Sequence, residues 1–231
     1  MKRMPDQKKK QVRLKAEDRR QRIAEAAMLL FAQKGFHGTT TRELAKASGV
    51  SEALLFKYFK DKDAIYEHVQ FLCLEAEQVA GETLGVRSPS TEALVLSVSI
   101  LVYEVFFGFG GRAKCEMLRR LQTHSLLEDG KFIRAFFKRH LIHWFPYVKQ
   151  CFAAARKSGD LVNSDIPDLS CIWFVHHLPM MVRLTRLAPV SVQYGSSERE
   201  LLGQLIHFCL RGIGLKEKAI KRIGLPDFLS A

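Results

Sequence analysis

The stretch that most constrains this chain is Thr40–Lys62, TTRELAKASGVSEALLFKYFKDK. It reads as two short helices, a tight turn between them, and the start of a third. Thr40 is an N-cap residue, and Glu43 stands three positions on, where a carboxylate reaches back to the cap. Leu44 and Ala45 begin an apolar face, and Gly49 supplies the positive φ of a sharp turn. Ser51 caps the second helix, which buries Leu54, Leu55 and Phe59. Ala45, Gly49 and Leu55 keep the spacing of a helix-turn-helix: a small residue at the crossing, a glycine in the turn, an apolar residue packing back. Glu52, Ala53, Phe56 and Lys57 are left facing outward. In a helix-turn-helix that outward face enters the major groove of DNA. The spacing by itself also suits a plain αα-hairpin.

Charge separates these readings. The 231 residues carry a formal net charge of +12, which favours an anionic partner. Residues 1–66 hold sixteen Lys or Arg against eight Asp or Glu, a net of +8. The other 165 residues hold twenty against sixteen, a net of +4. The excess lies with the helix-turn-helix.

Other classes lose support. Cys73, Cys115, Cys151, Cys171 and Cys209 are scattered and odd in number, without a metal-binding spacing, and read as reduced core thiols of a cytoplasmic protein. No apolar run reaches the ~18 residues of a membrane span, and no leader is evident. Residues 1–16 lack the apolar face of a membrane-surface helix. No nucleophile–base pair, metal cluster or phosphate loop is visible, so neither an enzyme nor a cofactor is expected.

The remaining segments are helical in pattern. Residues 1–16 are basic without apolar periodicity and are expected to form a flexible arm that lies along phosphates or stays a solvated tail. From Glu17 to Lys34, Ile23, Ala26, Ala27, Leu30 and Phe31 form one stripe, and Gly35 ends the helix. Asp61 caps a helix running to about Ala80, and a loop at 81–90 follows. Further helices are expected over about 91–107, 112–123, 128–157, 167–188 and 197–212, with a short one at 216–222. Ser125 with Glu128, and Ser197 with Glu200, look like capping boxes. Pro146 and Pro179 fall inside two of these helices and should bend them.

The run RIAEAAMLLFAQKGFHGTTTRELAKASGVSEALLFKYFKDKDAIY resembles the DNA-binding domain of the TetR family of transcriptional regulators. The likeness rests on Ala-Ala-x-x-Leu-Phe, Gly-Phe-x-x-Thr-Thr, Leu-Ala-x-x-x-Gly-Val-Ser and Phe-x-Tyr-Phe-x-x-Lys. It departs at Phe56, where most relatives have Tyr, and a phosphate contact through that hydroxyl is then absent. The resemblance implies an all-α chain in three parts. These are an arm at 1–16, a three-helix DNA-binding domain at 17–66 with its motif at 40–59, and a larger ligand-binding and dimerisation domain at 67–231.

Position in the motif assigns roles. Glu52, Ala53 and Lys57 reach base edges. Thr40, Thr41, Ser51, Tyr58 and Lys62 sit where backbone phosphates pass, and the resemblance supports this for Thr40, Tyr58 and Lys62. Lys62 opens its helix, where an anion is welcome. Arg19, Arg20 and Lys46 add unspecific attraction. For an effector pocket the aromatic and Met residues are candidates: Phe106, Phe107, Phe109, Met117, Phe136, His140, Trp144, Trp173, His176, His177, Met180 and Met181. The same residues also suit plain core packing. The helices at 167–188 and 197–212, with Leu178, Val182, Leu201, Leu205, Ile206 and Cys209, are expected to dimerise. The expected function is a homodimeric repressor on palindromic double-stranded DNA, released by a largely apolar effector. A relative without an inducer, an activator and a nucleoid-type binder are the alternatives.

Overall fold

The computed structural model describes residues 5–75, 87–107, 112–186 and 190–226, with side chains at 16–72, 87–107, 116–138, 144–186 and 190–226. Ten helices run in order: α1 Pro5–Lys34, α2 Thr41–Ala47, α3 Glu52–Tyr58, α4 Lys62–Glu75 and α5 Thr91–Phe107, then α6 Arg112–Leu127, α7 Lys131–Lys157, α8 Asp168–Leu184, α9 Glu198–Gly212 and α10 Glu217–Ile223. The fold is all-α; among the described residues the one extended pairing is an isolated bridge between Leu161 and Leu215.

Two compact units form. One comprises residues up to 76 together with 116–137, the other 77–115 together with 138–231. In the first, Ile23, Ala27 and Phe31 of α1 are buried against Leu44 of α2, Leu55 of α3, and Ile65 and Val69 of α4. Leu121 of α6 and Phe132 of α7 close the same core. Aromatic rings make its centre: Tyr66 meets Phe31 and Phe36 at 5.0 Å each, and Phe132 at 6.0 Å. Each fully buried large side chain here contributes ~1.5–3 kcal/mol by leaving water.

The second unit surrounds α5. Leu94, Val98, Val102 and Phe106 recur every fourth residue, which holds them on one helix face. They share a core with Val148 and Phe152 of α7, Ile172 and Val175 of α8, and Leu202 and Ile206 of α9. The tail is tied down by a polar knot. The buried Asp160 carboxylate accepts from Thr91 (2.8 Å), Ser158 (3.0 Å) and both terminal guanidinium nitrogens of Arg222 (2.7 and 3.3 Å). Arg222, followed by the hydroxyls, holds the acid well below the usual carboxylate range.

Several element boundaries depart from the sequence reading. Helix α1 begins at Pro5, so 5–16, expected as a flexible arm, is helical: Lys, Arg, Gln and Ala are good helix formers, and Pro suits a first turn. The Ser125–Glu128 capping box is absent. Helix α6 runs on to Leu127, Ser125 accepts from Ile133 N (3.2 Å), and Asp129 accepts from Lys131 N (2.9 Å) at the head of α7. The Glu128 carboxylate is thereby released to accept from Phe36 N (3.2 Å). The box at Ser197 and Glu200 is formed. Residues 76–80 and 187–188, expected as helix ends, lie outside the described residues, as does the loop to residue 86. The expected division placed all residues beyond 66 in one body, whereas 67–76 and 116–137 group with α1–α3.

Candidate nucleic-acid interface

Helices α2 and α3 are short, so their ends decide their stability. Thr40 Oγ1 accepts from Glu43 N (3.3 Å), and the Glu43 carboxylate takes Thr40 N (2.9 Å) in return. Lys34 at the end of α1 adds its ammonium to the same carboxylate at 2.5 Å. That ammonium, followed by the Thr40 contacts, pulls the Glu43 acid down to about 2. Ser51 Oγ accepts from Leu54 N (3.2 Å) at the head of α3. Between the helices Gly49 has φ +66°, which a residue with a Cβ adopts only under strain, and Val50 N closes the turn on Ala45 O (3.0 Å). Ala45 and Leu55 are buried at the crossing.

The outward face of α3 is as the spacing predicts: Glu52, Ala53, Phe56 and Lys57 are all exposed. Phe56 is 44% exposed, a large apolar surface beside Lys57. Thr41 Oγ1 donates to Glu52 Oε1 (3.0 Å), which fixes one carboxylate oxygen across the two helices. Tyr58 is half-buried against the three-helix core. Thr40 and Ser51 are exposed at their helix ends.

Lys62 opens α4 and has partners within the domain. Its ammonium donates to Phe36 O (2.9 Å) and Thr39 O (3.0 Å) and lies 4.2 Å from the Phe36 ring centroid. It clamps the loop entering α2, with two of its three protons committed. Phe36 is held through its preceding peptide as well, because Phe36 N donates to Glu128 Oε2 (3.2 Å). Gly35 makes room for this. Its φ is +74°, and a Cβ there would stand 2.2 Å from Glu128 Oε1. Arg20, expected as a diffuse positive charge, instead stacks its guanidinium 4.9 Å from the Phe59 ring, at the end of α3. Lys34, Glu128 and the Arg20–Phe59 stack were not identifiable from spacing, since their partners are remote in sequence.

The sequence of residues 23–69 matches the family model for bacterial regulatory proteins of the tetR family. Residues 23–69 thus carry a DNA-binding domain of the tetR type. Among similar proteins, the probable HTH-type transcriptional regulator YttP of Bacillus subtilis is 36% identical over 87 residues, 36% of this chain and 42% of that protein. The biofilm operon icaADBC HTH-type negative transcriptional regulator IcaR of Staphylococcus aureus is 35% identical over 54 residues, 23% of this chain and 29% of that protein. The match with YttP thus spans less than half of that protein's length. A linker-substituted mutant of HlyIIR shares the fold at TM-score 0.58 and 16% identity, covering 87% of this chain and 98% of that one.

The expected effector-pocket residues are divided between the two units. Met117 and Phe136 belong to the first unit. Phe106 is fully buried in the second, with Phe107 and Trp144 packed half-buried against that core. The half-buried Trp173 stacks on the exposed His177 at 5.4 Å, with the half-buried His176 beside them on α8. Met180 is half-buried and Met181 exposed. The side chains of Phe109 and His140 lie outside the described residues. The cause is topological: α6 and α7 each pass from one unit to the other, so residues that share a helix do not share a core. The dimerisation residues need a correction. Val182, Leu201, Leu205, Ile206 and Cys209 face inward, and the exposed large apolar side chains of α8 and α9 are Leu169, Phe174, Met181 and Phe208.

Proposed function

We propose that the chain is a homodimeric, sequence-specific DNA-binding regulator that represses transcription from a palindromic site and acts in the cytoplasm. The observation that carries this is the capped, turn-locked α3, whose Glu52, Ala53, Phe56 and Lys57 are presented together outside the core. Glu52 suits a cytosine amino group, Lys57 a guanine or a phosphate, and Ala53 and Phe56 a thymine methyl. Thr40, Thr41, Ser51 and Tyr58 flank this face and serve the backbone. The likeness to IcaR supports repression.

A two-fold protein matches a two-fold site, and the exposed Phe174, Met181 and Phe208 give α8 and α9 an apolar surface for a second copy. An apolar effector held near the half-buried Phe107 and Trp144 would release DNA by favouring the state that cannot bind it. Selection from random duplexes tests the reading. Enrichment of a palindrome with half-sites ~34–36 Å apart is expected, and recovery of unenriched sequence by the intact chain refutes it.

A further inference from the structure

The positive charge needed at a DNA surface is not on the helix-turn-helix itself. Residues 23–66 hold six Lys or Arg against five Asp or Glu, a net of +1. Of those six, Lys34 is engaged by Glu43, and Lys62 is committed to two carbonyls. Residues 1–22 hold ten Lys or Arg against three Asp or Glu, a net of +7. So almost the whole N-terminal excess lies ahead of Ile23, the first residue of α1 in the core.

The fold gives that charge a direction. Residues 5–22 are a continuous part of α1, a helical rod of about 27 Å at 1.5 Å per residue. Arg20 is pinned on Phe59, the C-cap of α3, so the rod leaves the domain beside the end of the recognition helix. Arg19 and Arg22, flanking Arg20, are exposed. When α3 enters a major groove, this cationic rod starts at the groove's edge, where phosphates recur along the axis.

We infer that the N-terminal half of α1 is a second DNA-binding element, a helical phosphate-tracking rod that supplies most of the electrostatic affinity while α3 supplies the sequence preference. This rests on the regulator reading above. It assigns Lys8, Lys9, Lys10, Arg13, Lys15, Arg19 and Arg22 to phosphates outside the half-site read by α3.

The test uses the full chain, a mixed-sequence 40-base-pair duplex, and affinity measured across salt. The variants are Lys8→Gln/Lys9→Gln/Lys10→Gln and Arg19→Gln/Arg22→Gln, which keep good helix formers. With one phosphate per lysine, the triple variant lowers the slope of log affinity against log salt by about 2.7 per protomer. Its affinity then falls roughly 40-fold less than the parent's between 50 and 200 mM salt. The double variant lowers the slope by about 1.8. Helical signal and melting temperature stay at the parent's values. Variants that keep the parent's slope overturn the inference and leave the regulator reading standing, whereas a parent chain that binds no duplex defeats that reading first. Vesicles with 30% phosphatidylserine form the control arm. Vesicle binding that the substitutions abolish, with an unchanged DNA slope, would assign the rod to a membrane and overturn the inference.

Discussion

Lys62 distinguishes a folding role from a DNA-contact role in one residue. Replacing it with Met keeps the aliphatic stem and removes the three donors. Two hydrogen bonds to backbone carbonyls, at 2.9 and 3.0 Å, and the ring contact at 4.2 Å are lost. A hydrogen bond from a charged group is worth ~1.5–3 kcal/mol when well buried. Lys62 is half-buried, so ~1 kcal/mol each is appropriate, with ~0.5–1 kcal/mol for the ring contact. The cost is then ~2.5–3 kcal/mol, borne by the loop 35–40 and the start of α4. Fluorescence reports the wrong unit, because both tryptophans, Trp144 and Trp173, lie in the second one. Amide hydrogen exchange is the suitable assay. The Thr39 amide, bonded to Phe36 O, and the Leu44 amide, bonded to Thr40 O, should exchange on the order of 100-fold faster. The salt slope of DNA binding should stay at the parent's value. Unchanged exchange together with a slope lowered by ~0.9 would refute the clamp and restore Lys62 as a phosphate contact.

Asp160→Asn should destabilise the second unit by ~2–4 kcal/mol, measured by tryptophan fluorescence in urea, since it weakens a buried hub of Thr91, Ser158 and Arg222. The native acid is depressed, so its stabilisation is full above the ordinary carboxylate range and is lost as pH falls toward the folded value; the Asn variant should show a flatter acid limb. Glu43 behaves likewise in the first unit, so Glu43→Gln should remove the part of the acid sensitivity of α2 exchange that develops between about pH 4.5 and about pH 2. Gly35→Ala should lower stability by ~1–3 kcal/mol in a denaturant titration followed by hydrogen exchange. The left-handed backbone disfavours it, and its Cβ displaces Glu128 from the Phe36 amide.

The helix-turn-helix was legible because its signals are local. Thr40 with Glu43, Gly49, and Ser51 act within four residues, and spacing separates Leu55 from the outward Glu52, Ala53, Phe56 and Lys57. The partners of Lys62 were not legible for the opposite reason: its acceptors are 23 and 26 residues away, and Glu128 meets Phe36 across 92. The start of α1 was missed because absent apolar periodicity marks absent burial, not absent helix. On α8 and α9 the apolar residues were found but not their direction. Val182 and Leu205 turn inward while Phe174 and Phe208 turn out, and composition is the same either way.

Phe36, held by Glu128 through its N–H and by Lys62 through its C=O, bears on how this protein can be taken apart. A fragment cut at residue 76 would keep every helix of the reading head yet lose Glu128, Leu121 and Phe132. It would expose the aromatic centre and strand the Phe36 amide. Chimaeras that exchange specificity with a relative therefore need two cassettes, the N-terminal segment and the 116–137 hairpin, transplanted as one.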